Sequence, residues 1–165
     1  MLFRSAAQEL GKHLGRRGVT VTTTSSTGFP LWAAMAARRQ GAVALAFSPA
    51  ASQSEHEHVY QQDRAGYTNI IYTGFGTSGA SVMGVRSSDA VVFGCGGMSS
   101  ILELITAIQE GKPIGILEGA WPTDEVLADM LATQYPDYAH IMTHDDPAEL
   151  AAMMVKQIGY NHGQA

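Results

Sequence analysis

The feature that most constrains this chain is an alternation of two hydrophobic periods. Short apolar or β-branched runs fall at 19–24 (VTVTTT), 42–47 (AVALAF), 69–72 (NIIY), 90–93 (AVVF), 113–117 (PIGIL) and 140–142 (HIM). Around them the spacing predicts helices over 4–15, 31–40, 79–87, 100–110, 123–133 and 147–158. A run that is apolar at every position suits a strand buried on both faces, and strands alternating with helices specify βαβ units. The expected fold is therefore α/β, a Rossmann-like doubly wound parallel sheet with helices on both faces. Gly41 and Gly111 mark helix ends, Pro30 suits a first helical turn, and Thr123-Asp124-Glu125 opens a helix with a cap and acids. The least regular stretch, 48–68, reads as a long loop or as an extra helix around 54–62. A length of 165 residues suits one domain over 1–165. A helix comes first, whereas doubly wound domains usually begin on their central strand, so the first strand reads as missing.

Composition narrows the partners. A net charge of −5 lacks the basic footprint that a nucleic-acid binder needs. No apolar run approaches the ~20 residues that cross a bilayer, and Met1-Leu2-Phe3-Arg4-Ser5 has no signal-peptide core. One cysteine leaves no internal disulfide framework and points to a reducing compartment. A cytoplasmic protein is expected, with no nucleic-acid and no membrane partner. Only 15% of the residues are charged, against about 25% usually, and interfaces deplete charge, so a homodimer is expected. Trp32, Met35 and Ala36, at helical spacing, read as core or subunit contact.

The 18 glycines, about one residue in nine, show where chemistry could sit. Ligands of open parallel sheets bind beyond the carboxyl ends of the strands. The residues that follow the strands are Ser25-Ser26-Thr27-Gly28-Phe29-Pro30, then Ser48-Pro49-Ala50, then Thr73-Gly74-Phe75-Gly76-Thr77-Ser78-Gly79, then Gly94-Cys95-Gly96-Gly97-Met98-Ser99-Ser100, then Glu118-Gly119. Glycine and hydroxyl residues recur there, while the residues before strands include Arg16, Arg17, Asp89 and Lys112. Glycine lets backbone approach a phosphate, and a helix N-terminus offers free N–H groups and partial positive charge. Tight βα turns use the same residues without any ligand. Five such loops on one edge tip the reading towards a phosphorylated small molecule. A dinucleotide fingerprint, Gly94-x-Gly96-x-x-Ser99 with Glu118 placed for a ribose hydroxyl, is a weaker alternative.

Gly96-Gly97-Met98-Ser99-Ser100-Ile101-Leu102-Glu103 resembles a variant of the GGxGTxxE motif of the LOG family. These Rossmann-like proteins, often mislabelled lysine decarboxylases, belong to the DprA–LOG (SLOG) superfamily. The resemblance runs over nearly the whole chain, through Ser48-Pro49-Ala50, Glu55-His56, Tyr60, Ile71-Tyr72-Thr73-Gly74-Phe75-Gly76, Val85-Arg86-Ser87-Ser88-Asp89-Ala90 and Gly111-Lys112-Pro113-Ile114-Gly115-Ile116-Leu117. It implies nucleotide binding, and for LOG enzymes hydrolysis of the N-glycosidic bond of nucleoside 5′-monophosphates by a motif glutamate and an upstream arginine. Glu103 matches the glutamate and is the catalytic candidate. Ala80 stands where the arginine is expected, Ser99-Ser100 replace Gly-Thr, Cys95 replaces a proline, and Ser25-Ser26-Thr27-Gly28 replace the first glycine-rich loop. Nucleotide binding is thus the leading expectation, and phosphoribohydrolase activity the alternative. Ser100-x-x-Glu103 is also a capping box, in which the glutamate would only satisfy a backbone N–H.

Other groups lead less far. Glu55-His56-Glu57-His58, and His140 and His144 with Asp145 and Asp146, lack a third cluster at ligand spacing, so no metal is expected. None of Lys12, Lys112 and Lys156 ends a strand, which sets aside a pyridoxal enzyme, and no resident cofactor is expected. Cys95 reads as a structural thiol. Tyr60 and Phe75 could stack a base, and the loop around His56 could cover the strand ends.

Overall fold

The computed structural model describes residues 3–94 and 98–162. The elements are α1 (Phe3–Arg16), β1 (Val21–Thr23), α2 (Phe29–Arg39), β2 (Ala44–Ser48), α3 (Gln53–His58), β3 (Asn69–Tyr72), α4 (Gly76–Arg86), β4 (Val91–Phe93), α5 (Met98–Gln109), β5 (Ile114–Leu117), α6 (Pro122–Gln134), β6 (Ile141–His144) and α7 (Pro147–His162). Every run read as a strand forms one. The extra helix is the short α3, which ends at His58 and leaves 59–68 irregular. The expected strand over 19–24 shrinks to three residues. Gly18 bends the chain at φ 72°, and Ser25, at φ 61°, leaves extended geometry just past Thr24.

All strand pairs are parallel, as expected for a Rossmann-like α/β fold. The strands form two ladders of three, β1-β2-β3 and β4-β5-β6. β1 and β4 share no ladder, and side chains bridge the two halves instead. Thr22 Oγ1 and Ser88 Oγ lie 2.8 Å apart. A Cβ built on Gly94 would stand 2.3 Å from the Phe29 ring, so only glycine allows the end of β4 to meet the start of α2.

Helices cover both faces. On β5, Ile114 and Ile116 face Leu104 and Ala107 of α5 and Leu127 and Leu131 of α6. Leu117 joins the opposite cluster with Ala6, Ala7 and Leu10 of α1 and Leu150, Ala151 and Met154 of α7. Two-sided covering explains why β5 is apolar throughout and buried at all four positions. In the other half, Ala44 and Ala46 of β2 pack on Ala34 of α2 with Tyr67. No helix among the described residues is long and apolar enough to cross a membrane.

α1 and α2 run parallel and pack backbone to backbone. A Cβ on Gly11 would lie 2.0 Å from the Ala33 carbonyl oxygen, and one on Gly15 would lie 2.7 Å from that of Ala37. Glycine inside a helix costs about 1 kcal/mol relative to alanine, and here that cost allows the close approach. Gly11→Ala is therefore expected to destabilise the protein by about 1–3 kcal/mol through overpacking, despite the gain in helix propensity. Denaturant unfolding measures this, and an increase in stability would contradict the packing.

Candidate functional site

The exits of β1 and β4 meet at a cavity of about 260 Å³. Thr24, Ser26, Thr27 and Gly28 line it from the β1 side, and Phe29 and Pro30 from the first turn of α2. Ser99, Ser100 and Glu103 line it from α5, and Phe3 from the start of α1. Three helices thus begin at this cavity. α2 has no side-chain cap and Pro30 has no N–H, so Phe29 and Leu31 carry first-turn N–H groups that have no partner within the helix. Gly28, at φ 80° and ψ −134°, has a backbone shape that other residues rarely adopt. Among the described residues no lysine or arginine lines the cavity. A helix N-terminus carries about half a unit of positive charge, so the start of α2 is what the described lining offers an anion.

Glu103 is the charged group of the site. Its Oε1 accepts from Ser81 Oγ at 2.9 Å and from Thr24 Oγ1 at 3.3 Å. No described residue is hydrogen-bonded to Oε2, and Glu103 lines the cavity. Burial pushes the carboxyl above its usual range, and the two hydroxyls pull it down less strongly. The capping-box alternative is not what the described residues show. Ser100 lies inside α5, not before it, and Glu103 turns across to Ser81 and Thr24. Reciprocal capping occurs instead at α3, where Ser52 Oγ accepts from the Glu55 N–H and Glu55 Oε2 accepts from the Ala51 N–H.

The other strand-end residues are placed differently. Ser25 is buried and donates to Gln62 Oε1 at 2.6 Å, so its hydroxyl ties down the 59–68 segment. Ser48, fully buried, lies 2.8 Å from His56 Nδ1 and accepts from the Ala50 N–H. Thr73 donates to the Ser48 carbonyl. Gly74 and Gly76 take positive φ in the turn into α4, and Phe75 between them is exposed. Glu118 is exposed, and its N–H donates to the His144 carbonyl. Ser25, Ser48, Thr73, Gly74, Gly76 and Glu118 do not line the cavity, and Gly94 lies beneath Phe29. The hydroxyls of Ser25, Ser48 and Thr73 have bonds within their own or neighbouring loops. Gly96, Gly97 and Cys95 lie outside the described residues.

The histidine–carboxylate run is also bonded within the chain. His56 is fully buried, with burial holding its pKa down, and His58 bonds Ser54. Glu57 pairs with Arg64 at 3.1 Å. No group of three or more candidate metal ligands occurs among the described residues.

Sequence reading missed Thr24, Phe3 and Ser81. Thr24 ends a β-branched run and reads as strand. Phe3 lies just before the helix expected over 4–15, yet its ring is 5.6 Å from that of Phe29 and forms a wall with it, Trp32 and Trp121. Ser81 directly follows Ala80, where the resemblance called for arginine, and that neighbourhood was the available signal.

The fold and this junction define a Rossmann-like protein with a candidate ligand site at the strand ends. The sequence matches the SLOG cluster4 family over residues 3–151, and the chain belongs to that family. No curated relative matches it. Similar solved structures include the molybdenum cofactor binding protein of the phototrophic bacterium Rippkaea orientalis, at 19% identity and TM-score 0.75 over 94% of this chain and 86% of that one. The molybdenum cofactor carrier protein of Chlamydomonas reinhardtii is similar at 24% identity and TM-score 0.73, over 95% and 88%. The structural-genomics protein TM1055 is similar at 19% identity and TM-score 0.80, over 94% and 88%.

A raised carboxyl pKa carries a stability cost with a defined sign. The native state holds the Glu103 proton to higher pH than the unfolded chain, so ionisation destabilises the fold as pH rises above about 4.5. Glu103→Gln removes that cost. Its stability relative to wild type is expected to increase from pH 4 towards neutrality and then level off. Thermal unfolding of both proteins across that range measures this, and a pH-independent difference would show that Glu103 is not perturbed.

Proposed function

We propose that the chain binds a phosphorylated nucleotide or nucleotide-derived ligand at the β1–β4 junction. The observation that carries this reading is the joining of two helix starts, α2 and α5, with hydroxyls and an aromatic wall around one cavity. Free N–H groups and the Ser26, Thr27, Ser99 and Ser100 side chains supply donors for a phosphate. Phe3 and Phe29 offer apolar ring surface. The Glu103 Oε2 can accept from an O–H or N–H of the ligand. At about 260 Å³ the cavity lies just below the usual 300–1,000 Å³ of ligand pockets, which suits a mononucleotide-sized ligand better than a dinucleotide. The molybdenum cofactor, for which two of the similar structures are named, is the second ligand class to test.

Hydrolysis of nucleoside 5′-monophosphates remains the second reading, favoured by one observation: a carboxyl whose pKa is raised by burial lines the cavity. Such a group can direct water or stabilise positive charge developing on the sugar. Against it, the residue at position 80 is a fully buried alanine, and Ser81 supplies a neutral hydroxyl in place of a cation.

Calorimetry with nucleoside monophosphates, the matching nucleosides and the molybdenum cofactor, with free base followed by chromatography, tests both readings. Phosphate-dependent binding is expected, at least tenfold tighter than that of the nucleoside. Binding is also expected to weaken as pH rises, because a phosphate near Glu103 favours its protonated form. Equal affinity for nucleoside and nucleotide, or no binding by any of them, would overturn the proposal. Base release that Glu103→Ala abolishes would establish the enzyme, and binding without release would establish a carrier or sensor.

A further inference from the structure

Among the described residues only two that are not glycine take positive φ, Ser25 at 61° and Gln61 at 51°. Residues with a side chain rarely adopt that geometry, which persists where the surrounding structure holds it. The two meet at one contact: Ser25 Oγ donates to Oε1 of Gln62, the residue next to Gln61, at 2.6 Å. Ser25 is 2% exposed, so without this acceptor its hydroxyl would be buried and unpaired. Its N–H donates to Thr23 Oγ1 at 3.1 Å, and Thr23 Oγ1 donates in turn to Tyr67 Oη at 3.1 Å. The turn that leaves β1 is thus tied twice to the 59–68 segment, which itself lies outside the cavity lining.

That segment is itself fixed at both ends. The Gln62 N–H donates to the His56 carbonyl at 3.1 Å, and the buried His56 ring is held by Ser48. At the far end the Thr68 N–H donates to the Ala44 carbonyl at 2.7 Å, and Thr68 Oγ1 accepts from the Ala44 N–H. Tyr67 packs with Ala34, Ala44 and Ala46 in the core, whereas Gln62 is half-buried and its side chain has no other hydrogen bond among the described residues. The residues that follow Ser25 are Ser26, Thr27, Gly28 and Phe29, all of which line the cavity. We infer that Gln62 is a positioning residue for this site: from outside the cavity it holds Ser25 in left-handed geometry and so presents residues 26–29 to the ligand. The inference rests on the reading of a phosphorylated ligand at the β1–β4 junction. Without the Gln62 acceptor the turn loses the contact that offsets its strain, the loop samples other shapes, and a ligand must select one of them. The coupling is reciprocal, so a ligand that fixes residues 26–29 also steadies the 59–68 segment.

Amide hydrogen exchange, read with calorimetry for adenosine, guanosine, cytidine and uridine 5′-monophosphates, tests this. In the free protein Gln62→Ala is expected to speed exchange of the Ser25 amide at least ~10-fold, with a melting temperature near that of wild type. Gln62→Glu keeps an acceptor for Ser25 Oγ and is expected to restore slow exchange. Gln62→Ala is also expected to weaken the nucleotides that wild type binds at least ~5-fold. Ser25→Ala removes the other partner, so the double variant is expected to be no looser and to bind no more weakly than either single one. Saturating nucleotide is expected to protect the amide of residue 62 in wild type and not in Gln62→Ala. Wild-type exchange at Ser25 in Gln62→Ala, additive effects in the double variant, or an affinity loss that only follows a lowered melting temperature would each overturn the inference. If wild type binds none of the four nucleotides, the ligand reading fails on its own, and exchange at Ser25 then decides whether Gln62 holds the turn.

Discussion

The Glu103 carboxylate spans a junction that the backbone leaves open. β1 and β4 share no ladder, so what joins the two halves of the sheet at the cavity is side-chain chemistry. Thr24 at the exit of β1 and Ser81 of α4 both donate to one oxygen of a carboxylate on α5. Hydrogen bonds to a charged group are each worth about 1.5–3 kcal/mol, and burial of that charge works against them. The balance leaves a carboxyl that holds its proton more tightly than usual, with Oε1 fixed by both hydroxyls. The position of the β1 loop relative to α5, and hence the shape of the cavity, depends on this arrangement.

The same junction accounts for the chemistry available there. Among the described residues no lysine or arginine lines the cavity, which offers the start of α2 and several hydroxyls, while an ionised Glu103 disfavours an anion there. A ligand bearing a phosphate would therefore bind with a proton linked to Glu103. Membership of the SLOG cluster4 family and similarity to the molybdenum cofactor carriers agree with a Rossmann-like fold. They leave the choice between carrier and enzyme to the chemistry at Glu103.

Much of the fold was legible because two-sided burial leaves a plain pattern. β5 is apolar at every position since α5 and α6 cover one face and α7 the other, and the small residues of α1 and α2 record a close helix contact. The site was legible only in part. That loops after strands share one edge follows from parallel topology. Which hydroxyls face outward depends on partners far away in sequence: Ser25 is held by Gln62 and Ser48 by His56. Glu103 matched both a capping box and a family motif, and only the distant Thr24 and Ser81 distinguish its role. Phe3, a hundred residues before Glu103, gave no sign that its ring lines the same cavity.

The most direct measurement of the account is a backbone amide chemical-shift titration with a nucleoside monophosphate, read residue by residue. If the ligand sits at the β1–β4 junction, the largest shifts fall on residues 24–29 and 98–103, with Ser81 following through its bond to Glu103. Shifts centred on Ser48, Thr73–Gly76 or Glu118, with the junction unmoved, would contradict it.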